Sequence, residues 1–180
     1  MPKEITAFDL VKEMRDVFNK KYTKAATAPG ANKELPQDQV VILASIVERE
    51  AKKDEDRAVI AGIFIKRLQN GWALEADATV QYVIASKKLS GVSFESLKDF
   101  EFWPKNISFD DLKIDSAYNT RKHVGLPPGP IGNPGLASIM AVLNAVETPY
   151  WFYLTDNNGQ THFAKTLSEH NQNVERYLRP

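Results

Sequence analysis

The chain has 180 residues, enough for one substantial core or two small ones, and its 23 basic and 23 acidic residues cancel. A protein built to neutralise phosphates carries a basic surplus, so nucleic acid is argued against as a main partner. Cysteine is absent, which excludes disulfides, thiolate metal sites and cysteine nucleophiles. No apolar run approaches the roughly 18 residues that a membrane span needs, and the opening "MPKEITAFDL" lacks a signal-peptide pattern.

Residues 5 to 24 place Phe8, Val11, Met14, Phe18 and Tyr22 at steps of three and four, one apolar stripe of an amphipathic helix. "AATAPGANKELPQ" is small, polar and broken by prolines, a linker. Pro36 suits a first helical turn, and the pattern predicts a helix over 36 to 53. "DEDRAVIAGIFIKRLQNG" predicts the next, capped by Asp54 or Asp56, with Ala58, Ala61, Ile65 and Leu68 inward and Asn70-Gly71 ending it. In "ALEADATVQYVIAS", Asp77 is placed to cap a short helix beginning near Ala78. Residues 87 to 116 read as loops with a short helix near Ser108 to Leu112.

"GLPPGPIGNPG", residues 125 to 135, holds four glycines and four prolines and cannot be regular structure. Pro134 can then open a helix carrying Leu136, Ile139, Met140 and Leu143. "YWFYLTDNNGQTHFAK" reads as two strands around a turn at Asp156 to Gly159, and Thr166-Leu-Ser-Glu169 as a capping box opening a last helix. The fold class is therefore α+β: a helix-rich single domain with a late β-hairpin and a C-terminal helix. Residues 1–35 form an amphipathic helix and linker, and 36–180 the domain proper.

Glu48 and Glu50, in "ASIVERE", are the carboxylates best placed for chemistry. At about 100° per residue they project roughly 200° apart, so they cannot form a close pair while the helix is continuous. Ile42, Leu43, Ile46 and Val47 point, on average, near 270° from Val40, and Glu50 falls at about 280°. Glu48 falls at about 80°, beside Lys52, as in an ordinary surface ion pair. A carboxyl on an apolar face loses hydration and holds its proton toward neutral pH, as a general acid must. Periodicity alone leaves a blander reading open, in which Glu50 ends the helix in solvent or pairs with Arg57 or Arg67.

The motifs "LASIVEREA", "GIFIKRLQNGWALEADATVQY", "SAYNT", "GLPPGPIGNPG" and "THFAKTLSEHNQNV", in this order across residues 38 to 175, resemble the catalytic domain of the endolytic murein transglycosylase (YceG-like) family. Residues 1–35 show no clear signature of it. The resemblance implies a lytic transglycosylase that cuts peptidoglycan strands internally at the cell-wall-facing side of the cytoplasmic membrane. The family's membrane tether and LysM-like region would lie outside these residues. Cell-wall synthesis proteins would be its partners. It also implies that Glu50, with Glu48 in reserve, is the catalytic acid.

The implied reaction breaks the β-1,4 bond between N-acetylmuramic acid and N-acetylglucosamine without water and leaves a 1,6-anhydro end. One carboxyl group serves as acid and then base, and no cofactor is needed. Substrate-gripping candidates are Asp77, Thr79, Gln81 and Tyr82, with Tyr118, Asn119 and Thr120, the amide of Asn119 being suited to an acetamido group. Asp77 as a mere helix cap and Asn119 as a turn residue are the plain alternatives. The proline-glycine loop would be a stiff wall of the glycan groove. His123, His162 and His170 lack metal-ligand spacing, so no metal is expected, and Ser45 lacks a nucleophile-elbow context. His162 and the run Glu169-His170-Asn171 read as scaffolding for the hairpin and last helix. Two other classes stay open: a non-catalytic glycan-binding or assembly module, and a hydrolase using Asp77 or Glu75 as a second carboxylate.

Overall fold

The computed structural model describes residues 5–31 and 34–179; Asn32 and Lys33, within the linker expected from the sequence, fall outside these. Among the described residues the regular structure is six α-helices, three short 3-10 helices (Asp54–Asp56, Phe94–Asp99 and Asp111–Lys113) and one antiparallel hairpin: α1 (Ala7–Ala26), α2 (Gln37–Glu50), α3 (Arg57–Gln69), α4 (Asp77–Leu89), α5 (Leu136–Leu143), β1 (Phe152–Thr155), β2 (Thr161–Ala164) and α6 (Leu167–Tyr177). The helix-rich α+β class, the late hairpin and the closing helix are as the patterning predicts.

The core forms where α2, α3 and α5 meet. Leu43, Ile46 and Val47 of α2 pack with Ile60, Ala61 and Phe64 of α3 and with Ile139 and Val142 of α5. Helix α3 is buried beyond the predicted stripe, since Ile63 and Arg67 are also covered. The reason is visible at Gly62, where an added Cβ would lie 2.0 Å from the carbonyl oxygen of Val146. A side chain there would push the 145–148 segment off the helix.

Several boundaries differ from expectation. Helix α2 stops at Glu50 instead of running to 53, because Ala51 turns to extended dihedrals (φ −80°, ψ 118°) and buries its methyl group. Pro36 is the residue before the first turn of α2 rather than within it. Asp77 is the first residue of α4 and not its cap, and that helix runs on to Leu89. Only two of the five residues in the predicted stripe of α1 are used: Tyr22 and Phe18 reach the core, while Phe8 is 77% exposed and Val11 and Met14 also face out.

The turn signal at the C-terminal end forms as read, whereas the predicted capping box forms only in half, because the Glu169 carboxylate reaches Lys165 N in place of the N–H of Thr166. The Thr166 side chain accepts from Glu169 N, and Glu169 Oε2 accepts from Lys165 N. In the hairpin, Asp156 Oδ1 accepts from the N–H groups of Asn158 and Gln160, and Gly159 takes φ 78°. His162 Nε2 sits 3.0 Å from Asp156 Oδ2 and its ring stacks on Tyr177 at 3.6 Å, so the hairpin is pinned to α6. That is the scaffolding role expected of it.

Candidate active site

Because α2 ends at Glu50, its last side chain leaves the aliphatic face and enters a cleft instead of solvent. The cleft, of about 680 Å³, lies between the end of α2, the start of α4 and the hairpin with α6. Glu50 Oε2 accepts a 2.9 Å hydrogen bond from the Tyr153 hydroxyl, and Oε1 accepts from Ala78 N at 3.3 Å. Ala78 lies in the first turn of α4, where N–H groups have no intrahelical partner and favour negative charge.

These donors oppose a larger effect. Burial raises the pKa of Glu50 above the ordinary carboxyl value; the bonds from Tyr153 and Ala78 pull it down, the charge of Asp77 pushes it up, and Arg121 lowers it. The surface of Glu50 is still partly open to the cleft, so the carboxyl is crowded by protein yet reachable. Tyr153 is itself held well above its usual value by burial and then by Glu50, and so remains a protonated donor.

Two further carboxylates line the cleft, and each faces an arginine. Asp77 Oδ1 accepts from Arg121 Nε at 2.8 Å and Nη2 at 2.6 Å, and Glu75 lies 3.7 Å from Arg67 Nη1. Among the described residues, no cation lies within ion-pairing distance of Glu50. Neither Arg57 nor Arg67 neutralises it: Arg57 pairs with Asp54, and Arg67 donates to the carbonyl oxygens of Leu74 (2.6 Å) and Trp151 (2.7 and 3.1 Å). Desolvation lowers the pKa of Arg67. Those bonds clamp the 72–76 segment against the start of the hairpin, where Glu75 takes φ 55°, a left-handed conformation costly for a side-chain-bearing residue.

The "EADAT" and "YNT" motifs, about 40 residues apart in sequence, are stitched together beneath the cleft. Glu75 N donates to Thr120 O, Ala76 N donates to Thr120 Oγ1, and Thr79 Oγ1 lies 2.9 Å from Thr120 Oγ1. Thr79, Asn119 and Thr120 are buried. Both amide protons of Asn119 are donated, to Leu112 O and Ile114 O, while its Oδ1 accepts from Arg121 N. In this geometry Asn119 holds the turn that delivers Arg121 to Asp77, with no free donor for an acetamido group.

Of the other predicted residues, Asp77 and Gln81 line the cleft, Gln81 donating to Pro104 O at 2.9 Å. Tyr82 and Tyr118 pack together, centroids 4.8 Å apart, among the partly buried aromatics behind it. Glu48 is not paired with Lys52: its Oε2 accepts from Gly135 N at 3.1 Å, on the residue that precedes α5. The proline-glycine loop does not wall this cleft. Leu126 to Pro130 lie along Asp38, Val41 and Ile42 of α2 instead, and Ile131 is buried with its N–H donated to Ser45 Oγ. That bond gives Ser45 a structural role.

Sequence reasoning missed Tyr153, Arg121 and the cleft position of His170, whose ring stacks on Phe152 and whose pKa burial lowers, and it named Arg67 only as a possible partner of Glu50. Arg67 alone left a trace, a cation inside an otherwise apolar helical run. Nothing local points from Tyr153 to a glutamate 103 residues earlier.

The chain belongs to the YceG-like family, whose model matches residues 1–176. It is 34% identical over 170 residues to the endolytic murein transglycosylase of Bacillus subtilis, covering 94% of this chain and 42% of that protein. To the protein of the same name from Streptococcus pneumoniae it is 32% identical over 148 residues, covering 82% and 25% respectively. A crystal structure of a yceG-like protein from Listeria monocytogenes superposes with a TM-score of 0.71 at 32% identity, covering 89% of this chain and 46% of that one. The chain thus spans less than half the length of these relatives.

Proposed function

We propose that residues 36–180 are the catalytic unit of an endolytic lytic transglycosylase acting on peptidoglycan glycan strands, with Glu50 as its single acid and base. The observation that carries this is the contrast among the three cleft carboxyl groups. Glu75 and Asp77 each face an arginine, whereas Glu50 has hydrogen-bond donors and a raised pKa.

Protonated Glu50 donates to the glycosidic oxygen as the bond from C1 of N-acetylmuramic acid breaks. The proton leaves with O4 of the departing N-acetylglucosamine, and C1 gains oxocarbenium character. The carboxylate left on Glu50 is stabilised by Tyr153 and the Ala78 N–H, and it now takes the proton of the muramic C6 hydroxyl. O6 bonds to C1, the 1,6-anhydro ring closes, and Glu50 is protonated again without consuming water. Opposed influences on one carboxyl suit this double duty, since burial favours the acid while the two donors favour the base. A two-carboxylate hydrolase is less well supported, because Asp77 already accepts two bonds from Arg121. Such an enzyme works on the wall-facing side of the cytoplasmic membrane.

Uncrosslinked strands incubated with the protein and examined by mass spectrometry test the reading. Anhydro-muramic ends are expected. Reducing ends would mean a hydrolase, and unaltered strands a glycan-binding module.

A further inference from the structure

The chain is neutral as a whole, but the lining of the cleft is not: it holds Arg49, Lys52, Arg67, Lys105 and Arg121 against Glu50, Glu75 and Asp77. Arg67 and Arg121 are engaged by the last two of these. Of the remaining three cations, Arg49 and Lys52 lie at the end of α2, and Lys105 lies two residues after Trp103, the ring on which Arg49 rests. The Arg49 guanidinium rests over the Trp103 ring, 4.1 Å from its centroid, and has no hydrogen-bond or ion-pair partner among the described residues. Trp103 packs against the core, so this arginine is held on a firm surface, and the residue itself is exposed. Lys52, on the turn after α2, is exposed and likewise has no carboxylate against it. Lys105 lies beside the Pro104 carbonyl that Gln81 grips, and its contact with Glu101, at 3.5 Å, is between two exposed groups.

Sugar hydroxyls and acetamides are neutral and need no such cations. Each muramic residue of a peptidoglycan strand, however, carries through its lactyl ether a short peptide with free carboxylates, on the ring whose C1 reacts. Arg49 and Lys52 flank Glu50, so a carboxylate held by them lies within reach of that ring. We propose that Arg49, Lys52 and Lys105 form a carboxylate-binding wall that selects glycan strands still bearing their acidic peptides. The inference rests on the transglycosylase reading above.

The test uses uncrosslinked strands free of phosphate polymers, either peptide-bearing or stripped of peptide by an amidase. Exposed charge contacts are each worth a few-fold, so the wild-type protein is expected to show about tenfold higher kcat/KM on the peptide-bearing form. Strands whose peptide carboxylates have been amidated should behave as stripped ones. In the double variant Arg49→Gln/Lys52→Gln the preference should fall to about one, and Lys105→Gln should reduce it on a separate segment. Equal cutting of both strand types by the wild-type protein, or an undiminished preference in the double variant, overturns the wall and leaves the transglycosylase reading standing. If neither strand yields anhydro ends, that reading fails instead. Retention of the two strand types by Glu50→Gln protein then decides the wall alone: preferential retention of the peptide-bearing form supports it, and equal retention overturns it.

Discussion

The Tyr153 hydroxyl donates a 2.9 Å hydrogen bond to Glu50 Oε2, joining the middle of a hairpin strand to the last residue of a helix 103 positions earlier. This bond lowers the pKa that burial raises. Removing it with Tyr153→Phe should leave Glu50 protonated to higher pH and move the basic limb of the kcat/KM profile upward. The rate at its optimum should fall by roughly tenfold, because the carboxyl loses its fixed orientation. A pH–rate profile that stays in place would refute the assigned coupling.

Glu50→Gln and Glu48→Gln separate the two glutamates. Loss of a general acid costs about 10² to 10⁴ in rate, and that is the expectation for Glu50→Gln. Glu48 holds Gly135 N, and a glutamine oxygen can accept the same bond, so Glu48→Gln should retain activity within about threefold. Anhydro-end production by both variants, measured side by side, checks the ranking.

The raised pKa of Glu50 has a consequence for stability. A carboxyl whose folded pKa lies above its unfolded value contributes stability fully below the unfolded value, and loses it as pH rises through the folded one. Glutamine cannot ionise. Glu50→Gln should therefore melt higher than the wild-type protein at neutral and alkaline pH, with the gap closing toward about pH 4. Thermal scans across that range would show it, and a constant gap would contradict it.

Gly62→Ala should destabilise the fold by about 3 kcal/mol or more, because its Cβ would meet the Val146 carbonyl oxygen at 2.0 Å. Chemical denaturation measures this directly.

Asn119→Ala separates a framing role from a substrate-gripping one. It leaves Leu112 O and Ile114 O without their donor, which should cost about 2 to 3 kcal/mol of stability. Activity should fall together with a loosened Arg121–Asp77 contact. A stable variant with only a raised KM would restore the sugar-contact reading.

Local patterns in the sequence determined most of the architecture. Thr166 and Glu169, Asp156 and Gly159, and the aliphatic face of α2 each act within a few residues, so capping, turn chemistry and periodicity suffice to read them. The same wheel turned Glu50 toward the apolar side. Only the tertiary structure decided what surrounds that carboxyl. Tyr153, the Ala78 N–H and the paired Glu75 and Asp77 arrive from distant segments, and no short-range rule encodes their meeting. Burial depends on what packs over a face, which is why three of the five stripe residues of α1 stay exposed and why Asn119, plausible as a sugar contact, has both amide protons committed inside the protein.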